Sequence, residues 1–229
     1  MSSFESVKKF TNEIIQEEER VDVLINNAGI ITKKKKLITE DGNEETIQVN
    51  YLSHVLLTLN LMEKMIQTSD DPRIIFVSSL AHHRVTMRDI DLKNPPGGVD
   101  DYMKTYAVSK YAIMVFVSKM ATLKAGKILF FATDPGMAPT GIMVNDNWFL
   151  NSWIILQFIR KPIDGSRSIV WPIFLDKRNY DSDTFFFQDG ASKRAGSVVY
   201  VEEMRELVWK QTFQVLGLKP IDGSQLPSV

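Results

Sequence analysis

Three short, almost wholly apolar segments constrain this chain more than any other feature. They are Val21-Asp22-Val23-Leu24-Ile25, Arg73-Ile74-Ile75-Phe76-Val77 and the run from Lys127 to Thr133. Long stretches with helical periodicity lie between them. Apolar strands alternating with helices form a parallel sheet covered on both faces. Ligands of such sheets lie outside the carboxyl ends of the strands. Those ends are small or polar here: Asn26-Asn27-Ala28-Gly29, then Ser78-Ser79, then Asp134-Pro135-Gly136 followed by Thr140. Small residues at Ala28 and Gly29 let a ligand approach the backbone, although an ordinary strand-ending turn has the same composition.

The helical stretches carry their own signals. Ser2-Ser3-Phe4-Glu5 reads as a capping box, with Ser2 as N-cap and Glu5 three residues on. Phe4, Val7, Phe10, Ile14 and Ile15 then form one apolar stripe. A second helix is predicted over Glu44 to Gln67, with Asn50 inside it and His54 one turn further. Asparagine is mildly unfavourable in a helix interior. Asn50 therefore either has work to do inside the fold or faces solvent. A third helix, Asp101 to Lys124, contains Tyr106-Ala107-Val108-Ser109-Lys110.

Residues four apart on a helix share a face. A cation about 4 Å from the Tyr106 phenol, at an effective dielectric of about 20, contributes roughly 4 kcal/mol. The phenol is therefore expected to titrate below its ordinary value near ~10, as a general acid/base requires. The same spacing also occurs on plain solvated helix faces.

Composition closes off other chemistries. With 229 residues the chain is long enough for a sizeable core, and a net charge of −1 gives no nucleic-acid surface. The absence of cysteine excludes disulfides and thiolate metal sites. His82-His83 has too few companions to hold a metal, and Lys33 to Lys36 reads as a solvated loop. No signal peptide is expected, because residues 1–20 are charged and amphipathic. Trp148 to Ile159 is apolar but too short to span a bilayer. It reads as a core helix, a lid over an apolar substrate, or a membrane-surface contact. A helix over Pro162 to Leu175, a strand at Phe185-Phe186-Phe187 and a terminal helix over Val201 to Leu216, capped by Gly217, complete the prediction. The expected organisation is one domain over residues 1–217, with 148–175 on the substrate side, and a loose tail over 218–229.

Taken in order, Asn26-Asn27-Ala28-Gly29, Ser79, Tyr106-x-x-x-Lys110 and Pro135-Gly136 with Thr140 resemble the short-chain dehydrogenase/reductase family. Ser78-Ser79-Leu80-Ala81-His82-His83 resembles its retinol dehydrogenase-like branch. The resemblance covers nearly the whole chain and weakens after Thr140. It implies a Rossmann-like, doubly wound parallel sheet of the α/β class, and an oxidoreductase using NADP or NAD. It implies that Tyr106 is the general acid/base, that Lys110 lowers its pKa and binds the nicotinamide ribose, and that Ser79 hydrogen-bonds the substrate oxygen. Asn50 matches the helix asparagine that holds a water of the proton relay. Asn26, Ala28 and Gly29 match residues lining the cofactor, and Pro135, Gly136 and Thr140 match those at its nicotinamide end. The implied substrate is a small apolar alcohol, aldehyde or ketone, retinoid- or lipid-like. The implied location is cytoplasmic or membrane-associated.

Two departures stand out. Asp134 occupies a position where this branch has His or Asn, and a modest effect on cofactor contacts is expected. The family also opens with a strand and a Gly-x-x-x-Gly-x-Gly turn that holds the cofactor pyrophosphate. This chain has no such motif, and its first glycine is Gly29. The resemblance thus implies a sheet lacking its first two βα units and third strand, with Val21–Ile25 as an apolar edge. Two readings follow. One is an active oxidoreductase. The other is an inactive variant that only associates with intact protomers through the helices at Glu44–Gln67 and Tyr102–Lys124, the family's usual dimer surface; a homodimer is the partner expected on either reading.

Overall fold

The computed structural model describes residues 1–32, 37–97, 101–123, 127–136, 161–176, 186–188 and 191–221. Lys33–Lys36, Thr140 and Trp148–Ile159 lie outside the described residues. Helix α1 is Phe4–Glu17 and strand β1 is Val23–Asn26. A short helix α2, Glu45–Ile47, runs through a π turn at Gln48–Leu52 into α3, Ser53–Thr68. Strand β2, Arg73–Val77, is followed by helix α4, Tyr102–Leu123, and strand β3, Leu129–Asp134. Helix α5, Pro162–Val170, strands β4, Phe186–Gln188, and β5, Ala191–Ser192, and helix α6, Glu202–Leu216, complete the order.

The five strands form one sheet in the order β1-β2-β3-β4-β5. The first four run parallel, and β5 turns back antiparallel on β4. Ile75 lies opposite Ile25 on one side and Phe131 on the other, while Thr133 lies opposite Phe187. Side chains alternate across a strand. Ile74, Phe76, Phe130, Ala132 and Phe186 therefore face the large core under α3 and α4. Ile75, Leu129, Phe131 and Phe187 face the opposite side, where Ile173 and Leu175 pack. Arg73 fixes that cover. Buried at the start of β2, it donates to the Pro172 carbonyl at 2.5 Å and the Leu175 carbonyl at 2.7 Å, and pairs with Asp71.

Helix α4 is apolar almost all round, so it is buried almost all round. Phe116 is fully buried, stacks on Trp209 of α6 at 5.8 Å and meets Phe76 and Phe130 edge-on. Helix α1 lies on α3, burying Val7 and Thr11. Helices α3 and α4 thus carry α1 and α6 of the same chain on part of their surfaces.

Three local expectations change. The N-cap of α1 is Ser3, not Ser2. Its extended backbone carries the hydroxyl to the Ser6 amide at 3.3 Å, and Asp41 accepts from the Phe4 amide at 2.9 Å. The predicted helix over Glu44–Gln67 is interrupted by the π turn. The expected tail is packed at its start, since Leu218 rests on the core and Ile221 is buried in it. Among the described residues, no helix is long and apolar enough to cross a membrane.

Candidate active site

The carboxyl end of β2 runs into the side of α4. Ser78 donates to the Lys110 carbonyl at 3.1 Å, and the Lys110 ammonium donates to the Val77 carbonyl at 2.8 Å. These two bonds lock strand end and helix together and leave Ser79 near Tyr106, close enough for its hydroxyl to favour the ionised phenol. The Lys110 nitrogen sits 5.5 Å from the centre of the Tyr106 ring. The structure thus brings Ser79, Tyr106 and Lys110 together at one strand end. Asp134, Pro135 and Gly136 arrive from the neighbouring β3. Gly136 has a φ of 73°, a left-handed conformation that side chains oppose.

The electrostatics differ from the expectation. Burial raises the Tyr106 pKa above its ordinary value; the Ser79 hydrogen bond opposes this, and the Asp134 charge adds to it. Lys110 is itself lowered to about 8 by burial, with Asp134 working against the shift. The reason is geometric. The ammonium points at the Val77 carbonyl rather than at the phenol oxygen, and desolvation penalises both charged forms.

Asn50 is fully buried and joins β1's loop to α4. Its side-chain oxygen accepts from the Ile30 amide at 2.8 Å, while its amide nitrogen donates to the Ile30 carbonyl at 2.9 Å and to the Ser109 hydroxyl at 3.2 Å. The residue that looked out of place in a helix thereby holds the loop carrying Ala28 and Gly29. Ala28 is exposed and Gly29 half-buried at that strand end. Asn26 is buried, donates to Thr58 at 3.0 Å and leaves its side-chain oxygen without a partner among the described residues. His54, one turn after Asn50, places Nδ1 3.0 Å from the Asn50 carbonyl, and burial lowers its pKa to about 3.

Two residues carry more structure than their sequence signals promised. Asp134 is 3% exposed and accepts from the Leu80 amide at 3.1 Å and the Gly136 amide at 2.8 Å. His82 is fully buried, with Nδ1 2.6 Å from the Ser79 carbonyl and Nε2 accepting from the Gly196 amide at 3.1 Å. Burial lowers its pKa to about 4, so it is neutral. The only signal for Asp134 was its departure from the residue expected before Pro135-Gly136. For His82 the signal was its place three residues after Ser79.

A parallel α/β sheet with a hydroxyl, a phenol and an ammonium gathered where strand ends meet a helix has its candidate site where such sheets bind their ligands. Comparison with known proteins supplies the family. The short chain dehydrogenase family model matches residues 1–88. The chain is 30% identical to retinol dehydrogenase 13 of Mus musculus over 98% of its own length and 68% of that protein. It is 39% identical to the Homo sapiens retinol dehydrogenase 13 over 141 residues, 61% of this chain and 42% of that one. The crystal structure of an uncharacterised Mycobacterium paratuberculosis protein superposes with a TM-score of 0.69 at 22% identity, covering 96% of this chain and 75% of that one, which shows the shared fold. This chain belongs to the short-chain dehydrogenase family, and its matches span from two fifths to two thirds of the length of these retinol dehydrogenases.

Proposed function

We propose that this chain exchanges a hydride between a nicotinamide dinucleotide, NADP or NAD, and an apolar alcohol or its carbonyl counterpart, retinoid- or lipid-like. The observation that carries this reading is the assembly of Ser79, Tyr106 and Lys110 around one strand end, with Lys110 buried against Tyr106. The nature of the substrate is taken from the names of the relatives. When bound, the nicotinamide gives or takes the hydride. Tyr106 Oη gives a proton to the carbonyl oxygen in reduction and takes it back in oxidation. Ser79 Oγ donates a hydrogen bond to that same oxygen. Among the described residues Lys110 has the Val77 carbonyl as its hydrogen-bond acceptor, and an ammonium has three donors, enough to hold ribose hydroxyls as well.

The donor set fits the nicotinamide end of such a cofactor. The unpartnered Asn26 oxygen, the exposed Ala28 and the left-handed Gly136 line the strand ends where it would lie. Thr140 and Pro135 are assigned to the same end by resemblance. The side chain of Asn50 is committed to Ile30 and Ser109, so a relay water held by this residue rests on its main-chain carbonyl. Cytoplasmic location, association with a membrane surface and homodimer formation belong to the same proposal.

The second reading, an inactive chain, rests on one observation: the sequence contains no Gly-x-x-x-Gly-x-Gly phosphate turn. One titration separates the two. Purified chain is titrated with NADPH and NADH while tryptophan fluorescence is followed. Saturable micromolar binding, then turnover of a retinoid aldehyde that falls by about 10²–10⁴-fold in Tyr106→Phe, supports the oxidoreductase. A folded chain that binds neither cofactor supports the inactive reading.

A further inference from the structure

We propose that Asp134 and His82 are positioning residues for Ser79, acting together as a clamp on the single peptide unit that joins Ser79 to Leu80. That unit has one N–H and one C=O; a buried ionisable side chain meets each, and the C=O also accepts the His82 main-chain amide at 3.2 Å. The Leu80 N–H donates to Asp134 Oδ2 at 3.1 Å. The Ser79 carbonyl accepts from His82 Nδ1, 2.6 Å away. The tautomer follows from the other ring nitrogen. Nε2 accepts the Gly196 amide at 3.1 Å, so the imidazole proton is on Nδ1. Both clamping side chains are anchored at their far sides. Asp134 Oδ1 accepts from the Gly136 amide at 2.8 Å, and His82 lies edge-on to Phe186 at 5.6 Å.

The clamp matters because Ser79 lies beyond the strand ladder, which ends at Val77, and there one main-chain turn bond to its carbonyl, from the His82 amide, accompanies the two side chains. Its ψ of 154° fixes the plane of that peptide relative to the Ser79 side chain, and with it which main-chain groups the hydroxyl can meet. That hydroxyl lies close enough to the Tyr106 phenol to favour its ionised form. If the peptide is free to rotate, Ser79 leaves Tyr106 and follows the Ala81 amide, which it already meets at 3.3 Å. The carboxylate thus joins the ends of β2 and β3, while the imidazole joins the end of β2 to the segment at Gly196. A hydroxyl donor toward a substrate oxygen is useful only when it is held in place.

The catalytic consequence rests on the oxidoreductase reading above, whereas the clamp itself does not. Two measurements therefore run in parallel on the full chain and on the variants Asp134→Ala, Asp134→Asn, His82→Ala and His82→Asn. The first is amide exchange by NMR at neutral pH, which needs no turnover. The Leu80 amide is expected to exchange at least about tenfold faster in Asp134→Ala, with the core of α4 unchanged. The second is kinetics. Each alanine variant is expected to lose about 10–100-fold in kcat, with cofactor affinity within about threefold. The asparagine variants, which keep one acceptor or one donor toward the peptide, are expected to recover part of that loss.

Leu80 exchange that is unchanged in Asp134→Ala overturns the clamp. So does a parallel loss of kcat and cofactor affinity, which marks a merely structural role. If an alanine variant does not fold, its asparagine counterpart decides by the same two readouts. If the unaltered chain neither binds cofactor nor turns over, the oxidoreductase reading fails and the exchange data still decide the clamp.

Discussion

An ammonium only 3% exposed needs a reason to remain in a fold, and Lys110 has two: the Val77 carbonyl that accepts its proton and the negative charge of Asp134. They do not fully offset burial, which lowers its pKa to about 8 from an ordinary 10.5. The sign of the linkage follows. Between those two values the unfolded chain binds a proton that the folded chain has released, so stability rises with pH there. Below about 8 the penalty is fully present. The urea midpoint is expected to climb from pH 8 towards 9.5 and to stay flat in Lys110→Met. An equal climb in the variant would assign the effect to other groups. Tyr51, Tyr106 and Tyr111 are all raised by burial, so they titrate beyond this window and work in the opposite sense. At acid pH the two buried histidines dominate. With His54 and His82 lowered to about 3 and about 4, the folded chain resists protons that the unfolded chain accepts below 6.5. Stability is therefore expected to fall as pH drops from 6.5 towards 4, and to fall less in His82→Asn. An unchanged slope would show that His82 is protonated without cost. Asn50 is a third test. Asn50→Ala leaves the Ile30 amide and carbonyl without their partner and is expected to cost about 1–3 kcal/mol in urea denaturation.

Helix α4 shows which elements a sequence reveals and which it hides. Its apolar run was legible because a helix buried on all sides needs no polar stripe, and the strands were legible because β1, β2 and β3 are short apolar runs between helices. Tyr106 and Lys110 share a face because helical spacing dictates it. The sign of the Tyr106 shift was not legible. It depends on whether the Lys110 ammonium turns to the phenol or to the Val77 carbonyl, a choice made by the third dimension. The π turn at Gln48–Leu52 was hidden for a related reason. No residue type marks such a turn; it closes where the Ser53 amide reaches back to the Gln48 carbonyl. π turns favour functional positions, and the asparagine that looked wrong for a helix lies within this one. The consequence for packing is concrete. Phe116 sits at the centre of α4, touching Tyr51, Phe76, Phe130 and Trp209, the last of these on α6. Phe116→Ala is expected to cost about 3–5 kcal/mol. Against a typical total of about 5–15 kcal/mol, that is enough to leave a large unfolded fraction in a thermal melt. A loss below ~1 kcal/mol would mean that α6 does not pack on α4 as described.

At the scale of the whole molecule, the sheet is unevenly finished. At one end β5 folds back on β4 as a two-residue antiparallel edge. At the other end β1 has a partner, β2, on one side only among the described residues. The Asp22 carbonyl accepts the Arg73 amide at 2.9 Å, so in a parallel ladder the main-chain groups of Leu24 also turn towards β2 while those of Val23 and Ile25 turn outward. The side chains of Val23 and Ile25 are only partly buried, against the smaller core. The Ile25 carbonyl accepts from the Asn27 amide at 3.1 Å, which leaves the Val23 N–H and C=O and the Ile25 N–H as the outward groups without a partner among the described residues, a template for another strand. Concentration-dependent self-association is therefore expected in solution, little affected by salt because no ion pair is involved. Val23→Pro removes one outward N–H at the first position of the strand, where proline is tolerated, and spares the bonds to β2. Light scattering over a concentration series decides the matter. A smaller mean mass in Val23→Pro, with the same thermal midpoint, places the contact at β1. An unchanged mass would move it to another surface, and a lowered midpoint would show that β1 had been broken rather than blocked.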